Sequence, residues 1–266
     1  MKARDIAVQL YSLREEAKVD FIKVLERVAE IGYKAVEPAG FHNLTPTEFK
    51  KVIDDLGLKM YSSHTPWMRG EDVSAELAMA AELGLDKVVC GYDPDDFKDM
   101  DAIKKTADTT NALIEKVKAA GLKLFQHNHA WEFDRIDGKL KYEIYLDMVP
   151  EVEVQMDAFW SSNFGAEDPA AMMKKFADRI TLVHLKDGVF HQPDAETKMV
   201  NGFLDRKLAL VPLGTGEMDL PAIVAQVPDC VDNLIVELDY CTIDMMEAIE
   251  KSYKYLTSTG LAVGNK

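Results

Sequence analysis

The residues of this chain that are best suited to chemistry stand at the ends of its apolar, strand-like segments. Seven of eight such segments run into an ionisable or metal-binding side chain, where Gly, Asn or Pro would be usual. These side chains are Glu37, His64, Cys90, His127 with His129, Asp157, His184 and Glu237. The carboxyl ends of the strands of a closed parallel barrel form one ring that carries the active site. The pattern therefore predicts a single polar site.

Three of these side chains are candidate ligands for a divalent metal. Asp157, His184 and Glu237 each end a strongly apolar segment, and the three segments follow one another along the chain. Two carboxylates and one imidazole with open positions suit Mn²⁺, Mg²⁺, Co²⁺, Zn²⁺ or Fe²⁺. Each residue alone has an ordinary structural explanation, so the prediction of a metal site rests on their combination.

Residues 126–133 offer further candidates. Strand alternation places His127 and His129 on the same side, so that both could face the barrel mouth. Glu132 follows the strand, in a loop able to fold back over the site, and is predicted as a metal ligand or catalytic carboxylate. His127 is a candidate for proton transfer, and His129 for substrate binding. The competing interpretation is a solvated Glu132 and two histidines that bond to neighbours.

A lysine stands beside the predicted histidine ligand. Lys186 comes two residues after His184, on the same strand face, where its ammonium could hold an oxyanion or a substrate hydroxyl. A structural ion pair with Asp157 or Asp187 explains it equally well.

Other strand ends carry residues suited to a sugar. Glu37 and His64 could bond to sugar hydroxyls, and Trp67, Trp131 and Trp160 could cover the apolar face of a pyranose. Ordinary packing under loops is the alternative for the tryptophans, and Trp160 is the one predicted to bind substrate.

The elements that must position these residues alternate along the chain. Amphipathic helical segments repeatedly end in Gly just before a short apolar strand, as in the stretch around Gly121. Strands are predicted near 5–10, 34–37, 58–63, 87–90, 122–127, 152–157, 180–184 and 234–237. Helices are predicted near 18–31, 45–56, 71–83, 98–120, 140–148, 168–177, 219–227 and 244–258. The order indicates an α/β chain, a single parallel (β/α)₈ barrel spanning 1–266. A doubly wound open sheet is the alternative.

One segment lacks clear periodicity. Residues 187–218, after the seventh strand, are predicted to form a long loop, either a lid or binding loop or a plain surface excursion. Within it, residues 213–217 (LGTGE) are interpreted as a turn, with an approach to phosphate as the alternative.

Composition and charge narrow the kinds of partner that this protein could bind. The 266 residues carry a formal net charge of −15, which repels nucleic acid at long range. Three cysteines are too few for a disulfide framework, and no apolar stretch is long enough to span a bilayer. We expect a cytoplasmic protein without nucleic-acid or membrane partners.

Several motifs resemble one family, in order along nearly the whole chain. They are VQLYS, VEPAGF, SSHTP, FQHNHAWEF, MDAFW, DPAAMMKKF, RITLVHLKDG, LGTGEMDL and VELDY. They are similar to the xylose isomerase-like TIM-barrel superfamily, and specifically to its sugar phosphate isomerase/epimerase branch. The resemblance implies homo-oligomers and a divalent metal held by Glu, Asp, His and Glu at four strand ends.

The resemblance fits three of those four ligand positions. Asp157, His184 and Glu237 match, but the position of the remaining Glu falls in the stretch from His127 to His129. Either His127 replaces that Glu or Glu132 supplies the carboxylate. Relatives with a His-rich fifth strand include inosose dehydratase-like and keto-sugar lyase-like proteins.

The expected activity is that of a metal-dependent isomerase or epimerase. Its substrate would be a carbohydrate, a keto sugar or related polyol that reacts through an enediolate, with Glu237 or Glu132 as the base. A dehydratase or lyase using the same site is the alternative. Two further alternatives are a hydrolase resembling endonuclease IV, which the negative charge disfavours, and a sugar-binding barrel without catalysis.

Overall fold

A curled parallel sheet forms the centre of the molecule in the computed structural model, which describes residues 2–190, 198–200, 203–205 and 209–266. Its seven strands lie in the order β2-β1-β7-β6-β5-β4-β3. They are β1 Asp5–Gln9, β2 Ala35–Glu37, β3 Lys87–Cys90, β4 Lys123–His127, β5 Glu153–Asp157, β6 Ile180–Leu185 and β7 Asn233–Val236. Their carboxyl ends meet at one edge, as the sequence predicted.

Residues 58–68 fill the gap between β2 and β3. Lys59 forms an isolated parallel bridge with Ala35, and Trp67 forms one with Val89. The sequence predicted a regular strand near 58–63, and this prediction was wrong in that detail. The reason lies in Ser62, Ser63 and the following Pro66, because Pro cannot donate to a ladder and the small polar residues pack weakly in a strand. The barrel prediction itself is confirmed.

Helices cover the outside of the sheet. They are α1 Arg14–Ile31, α2 Pro46–Asp55, α3 Ser74–Leu83, α4 Met100–Ala119, α5 Lys141–Met148, α6 Ala158–Ser161, α7 Pro169–Lys175, α8 Leu220–Ala225 and α9 Met245–Ser258. Short 3₁₀ turns occupy Leu10–Leu13, Pro94–Phe97 and Trp131–Phe133. Among the helices that the structure describes, none is long and apolar enough to cross a membrane.

The helices form where the sequence places apolar residues at helical spacing. In α1, Phe21, Val24, Leu25 and Val28 are buried on one face. The predicted capping box at Thr45 is present, with its hydroxyl accepting from the backbone N–H of Glu48 at 3.2 Å. The start of α2 thus follows from the local sequence.

The chain after β6 is not a structureless loop in its described parts. Asp187–Val189 pairs antiparallel with Ala209–Val211, and Lys198–Val200 pairs with Phe203–Asp205. The remaining residues of the predicted loop between them, 191–197, 201–202 and 206–208, lie outside the described residues.

The turn at 213–217 is held by one buried carboxylate. Asp187 accepts hydrogen bonds from the backbone N–H groups of Gly188 (2.8 Å), Gly214 (2.9 Å), Gly216 (3.0 Å) and Met218 (3.1 Å). A Cβ at Gly216 would lie 2.2 Å from the Asp187 carboxylate, so only glycine fits there. These N–H groups are occupied by Asp187, which supports the interpretation of the segment as a turn.

Candidate active site

Four side chains from neighbouring strand ends converge. His127 ends β4, Asp157 ends β5, His184 lies near the end of β6, and Glu237 follows β7. One potential ligand atom from each lies within 4.8 Å of those of the other three, and all four residues are buried. The strand register brings this about, since Asp157 pairs with His184 across β5 and β6.

His184 is held between two carboxylates. Its Nε2 lies 2.7 Å from Oε1 of Glu37, and its Nδ1 lies 2.6 Å from Oε2 of Glu237. Burial alone would lower the pKa of His184, but Glu37 and Glu237 raise it to about 10. Because Glu37 occupies Nε2, Nδ1 is the nitrogen that His184 could offer to a metal beside Glu237.

Gln155 orients the other two histidines of the site. Its amide oxygen lies 2.6 Å from Nε2 of His64 and 3.1 Å from Nδ1 of His127, while its amide nitrogen donates to Oε2 of Glu37 at 2.7 Å. An amide oxygen only accepts, so both ring nitrogens that face it donate. His127 is therefore left with a free lone pair on Nε2. Burial also lowers the pKa of His127 well below its usual value, which keeps the ring neutral.

Lys186 bridges three carboxylates. Its ammonium lies 2.9 Å from Oδ2 of Asp157, 3.0 Å from Oε2 of Glu237 and 3.0 Å from Oδ2 of Asp239. Only 1% of its side chain is exposed, and the ammonium lies 5.2 Å over the ring of Trp160. Burial opposes its charge, but these carboxylates raise the pKa of Lys186 well above its usual value. It is an ammonium at neutral pH.

Asp157 uses its two oxygens differently. Oδ1 accepts from the backbone N–H of Trp160 at 2.9 Å and so caps α6, whereas Oδ2 faces Lys186. Burial raises the pKa of Asp157 from its usual value, an effect that Lys186 opposes. The capping role expected of such a residue and a ligand role are thus compatible.

The charges and donors of the cluster fit a divalent cation. The cluster buries three carboxylates and the ammonium of Lys186: Asp157 and Glu237 face the ammonium, and Glu37 faces His184. With His184 protonated, as its raised pKa indicates, one buried negative charge stays uncompensated, and burial of unpaired charge is costly. Two carboxylates and two imidazoles also form a donor set that first-row metals accept. His127, Asp157, His184 and Glu237 could hold such an ion.

Glu132 lies apart from this cluster. It is fully buried, and its carboxylate accepts from the side chain of Gln126 (3.2 Å) and the backbone N–H of His129 (3.0 Å). Burial raises the pKa of Glu132 to about 8, against the effect of these donors. The predicted loop does fold back, but it turns Glu132 inward, under His129. Of the two candidates for the fourth ligand position, His127 is the one that the structure brings to the other three.

A cavity of about 440 Å³ opens above the cluster. Trp67, Trp131 and Trp160 line its walls, and Glu237 and Lys186 are among the polar groups that reach it. All three tryptophans singled out from the sequence therefore meet at one place.

Two histidines predicted to bind substrate also line this cavity. His129 stacks on Trp131, with ring centroids 4.4 Å apart, and His64 packs edge-on against Trp67. Among the described residues, Nδ1 of His129 and Nε1 of Trp131 have no hydrogen-bond partner. Glu37, predicted as a third sugar contact, lies instead beneath the cavity, bonded to Gln9, Ser62, Gln155 and His184.

Two site residues were missed from the sequence. Gln155 is an inward-facing polar residue inside the otherwise apolar strand β5, so no strand end marks it. Asp239 lies two positions after Glu237, beyond the end of the predicted strand. Strand alternation from Asp157 would have found Gln155 on the same face.

A family model described as xylose isomerase-like TIM barrel matches residues 25–258. The chain belongs to this family. No curated protein matched the sequence.

Solved structures share the fold of this family member. A sugar phosphate isomerase/epimerase from Parabacteroides distasonis ATCC 8503 is 21% identical, with a TM-score of 0.74 over 99% of this chain and 96% of that one. The probable 3-DHS dehydratase AsbF from Bacillus anthracis is 14% identical, with a TM-score of 0.72 over 95% and 98%. An L-ribulose 3-epimerase is 17% identical, with a TM-score of 0.65 over 98% and 95%. At these identities the likeness concerns the fold.

Proposed function

We propose that this protein is a metal-dependent isomerase or epimerase that moves a proton next to the carbonyl of a keto sugar or related polyol. The observation that carries the proposal is the convergence of His127, Asp157, His184 and Glu237 under an aromatic cavity. The L-ribulose 3-epimerase and the sugar phosphate isomerase/epimerase that share the fold support it.

The roles of the residues follow from their contacts. A divalent ion, when bound, supplies a Lewis acid that stabilises negative charge on the substrate oxygens. Glu237 lines the cavity and removes the proton from carbon; Lys186, 3.0 Å from it, holds its carboxylate in place and keeps it ionised. His127 is not available to return the proton, since its one free lone pair, on Nε2, is offered to the ion.

The cavity also indicates how the substrate is held. His129 and Trp131 line the cavity, and within the described part of the chain Nδ1 of His129 and Nε1 of Trp131 have no hydrogen-bond partner, which suits them to sugar hydroxyls. The tryptophan walls suit the apolar face of a ring. Glu132, buried under His129, is a positioning residue for that histidine.

The described part of the site favours an unphosphorylated substrate. Lys186 is the only Lys or Arg among the described residues that line the cavity, and three carboxylates already surround it. The N–H groups of the 213–217 turn are occupied by Asp187. A phosphate dianion placed here would meet Glu237 and Asp239 without a free cation, which is unfavourable.

Elimination is the second candidate activity. His127 stands where the resemblance implies a glutamate ligand, so proton transfer between two metal-binding glutamates would lack one partner here, and Lys186 lies beside Glu237 as a potential acid for a leaving group. The probable 3-DHS dehydratase from Bacillus anthracis that shares the fold is consistent with this alternative. Product analysis separates the two, since elimination yields an unsaturated product and epimerisation does not.

The test combines metal analysis with isotope exchange. We expect about one divalent ion per chain in the wild type after loading with Co²⁺ or Mn²⁺, and loss of that ion in Asp157→Ala, His184→Ala and Glu237→Ala. Glu132→Gln is the matched control, because it changes a buried carboxyl group outside the cluster and should retain the metal. The loaded wild type, incubated with ketopentoses and ketohexoses in D₂O, should place deuterium on carbon.

Either result can overturn the proposal. A wild-type protein that takes up no divalent ion contradicts the metal centre. A metal-loaded protein that exchanges no proton with any of these ketopentoses and ketohexoses contradicts the proton-transfer activity.

A further inference from the structure

Imidazole nitrogen is abundant at the predicted metal centre. His127 and His184 make up half of the four-residue donor set, and His64 adjoins them. His64, His127 and His184 form a second group whose ligand atoms lie within 4.8 Å of one another. The ring centroids of His64 and His127 are 4.8 Å apart, and those of His127 and His184 are 4.9 Å apart.

The surroundings hold one of these imidazoles in a form suited to coordination. Gln155 accepts from Nδ1 of His127, which leaves the lone pair of Nε2 free. Gln155 is in turn fixed by Glu37, which accepts from its amide nitrogen at 2.7 Å. Such outer partners set the tautomer and orientation of a histidine ligand.

Donor chemistry then distinguishes between metals. Imidazole suits Zn²⁺, Fe²⁺ and Co²⁺, whereas carboxylate, carbonyl and water oxygens suit Mg²⁺ and Mn²⁺. Resting on the proposed function, we propose that this centre selects a nitrogen-accepting ion of the Zn²⁺, Fe²⁺ and Co²⁺ group over Mg²⁺ and Mn²⁺. His127 is the residue that sets the preference, because its Nε2 offers a free nitrogen lone pair to the ligand group.

The experiment measures the change in selectivity when that donor is exchanged. Most protein sites bind Co²⁺ more tightly than Mn²⁺, so the wild-type preference alone decides nothing. The informative quantity is the ratio of the Kd for Mn²⁺ to the Kd for Co²⁺, measured by calorimetry on metal-stripped protein. In His127→Glu this ratio should fall at least about tenfold, the lower end of what changes around a metal site produce.

His129→Glu is the matched control. It makes the same change of side chain two residues further on, at a cavity position outside both ligand groups. The new negative charge raises the affinity for all divalent ions alike, so the Kd ratio should stay within about twofold of the wild type.

Folding of the first variant is checked by circular dichroism. If His127→Glu does not fold, His127→Gln offers a neutral oxygen donor of similar size, and its Kd for Co²⁺ should rise more than its Kd for Mn²⁺. A second readout is the metal retained after dialysis against equimolar Mn²⁺, Co²⁺ and Zn²⁺, which should shift toward Mn²⁺ in either variant.

The outcomes separate this inference from the proposed function. An unchanged Kd ratio in a folded, metal-binding His127 variant overturns the selectivity inference but does not contradict the proposed metal centre. A wild type that binds none of these ions contradicts the proposed function itself. A ratio that falls equally in His129→Glu also overturns the inference, because charge alone would then explain the change.

Discussion

Nε2 of His184 lies 2.7 Å from Oε1 of Glu37, although 147 residues separate them in the chain. Glu37 is 1% exposed and bonds to four side chains beneath the cavity. The contact orients His184 toward Glu237 and fixes which nitrogen is available for coordination. Glu37 therefore supports the site from below.

The first prediction concerns this contact. Glu37→Gln replaces the carboxylate by a weaker acceptor and places an amide group among donors from Gln9 and Gln155. We expect the Kd for Co²⁺, measured by calorimetry, to rise by roughly 10- to 100-fold. Glu153→Gln changes a carboxyl group at the opposite end of β5 and should leave the Kd unchanged. Equal effects in both variants would contradict the role assigned to Glu37.

Glu132 leads to a prediction about pH. Because burial raises its pKa from 4.5 to about 8 in the folded protein, the folded state keeps a proton that the unfolded chain has lost between those values. The contribution of Glu132 to the free energy of unfolding is fully present below pH 4.5 and falls as pH rises toward 8. At pH 7 it is lower than below pH 4.5 by on the order of 3 kcal/mol.

Glu132→Gln removes this titration. Urea denaturation of the variant and the wild type between about pH 5 and pH 8 should show that the variant gains stability relative to the wild type as pH rises. Glu153→Gln should show no such gain, since Lys123 and Lys87 outweigh partial burial and lower the pKa of Glu153. A pH-independent difference for Glu132→Gln would show that this carboxyl group is ionised throughout.

Lys186 leads to a prediction about metal and stability together. Lys186→Met leaves the buried carboxylates of Asp157 and Glu237 without their ammonium, which costs roughly 3–5 kcal/mol for a broken buried pair. A divalent ion bound to the same carboxylates should offset much of this loss. Denaturation with and without Co²⁺ should therefore show a larger stabilisation by metal in the variant than in the wild type.

The control for this experiment is Lys141→Met. Lys141 is also buried, but its only ion pair with a described residue is a 3.4 Å contact with Asp134, away from the cluster. Its effect on stability should be the same with and without Co²⁺. If Lys186→Met lowered stability equally with and without Co²⁺, Lys186 would not be part of the proposed metal centre.

Asp187 leads to a prediction about the segment after β6. Asp187→Ala leaves four inward backbone N–H groups without their acceptor, and each unsatisfied group costs about 1–3 kcal/mol unless water reaches it. We expect a loss of at least about 3 kcal/mol in urea denaturation. Asp168→Ala removes a helix cap that accepts from the backbone N–H of Ala170 and should cost only about 1 kcal/mol. Similar losses in the two variants would contradict the role assigned to Asp187.

Much of the fold could be predicted because local signals and tertiary packing agree. The strand at Lys87–Cys90 and the helix ends near Ile31 and Leu83 match the predicted positions, since Gly32 and Gly84 end those helices in the left-handed conformation. The irregularity near 58–63 was not predictable from apolar content alone. It follows from the polar residues and Pro66, whose effect depends on both neighbouring strands.

The sequence could predict only those site residues that stand at the ends of apolar strands. Asp157, His184 and Glu237 end apolar strands and were found for that reason, whereas Gln155 stands inside a strand and gave no such signal. The direction of Glu132 depends on how the 3₁₀ turn Trp131–Phe133 folds, which no local pattern specifies. Contacts between residues far apart in sequence, such as that of Glu37 with His184, form only once the barrel closes, so no local pattern predicts them.

The irregular segment at 58–68 also makes local stability differ around the barrel. Most of the neighbouring barrel strands join through ladders of three or more paired residues, whereas this segment joins β2 and β3 through one bridge on each side. Local opening, and with it amide hydrogen exchange, should be easiest along this seam. Because His64 and Trp67 are carried on it, the seam lets one wall of the cavity adapt to the shape of a ligand while the side chains under the opposite strands stay fixed.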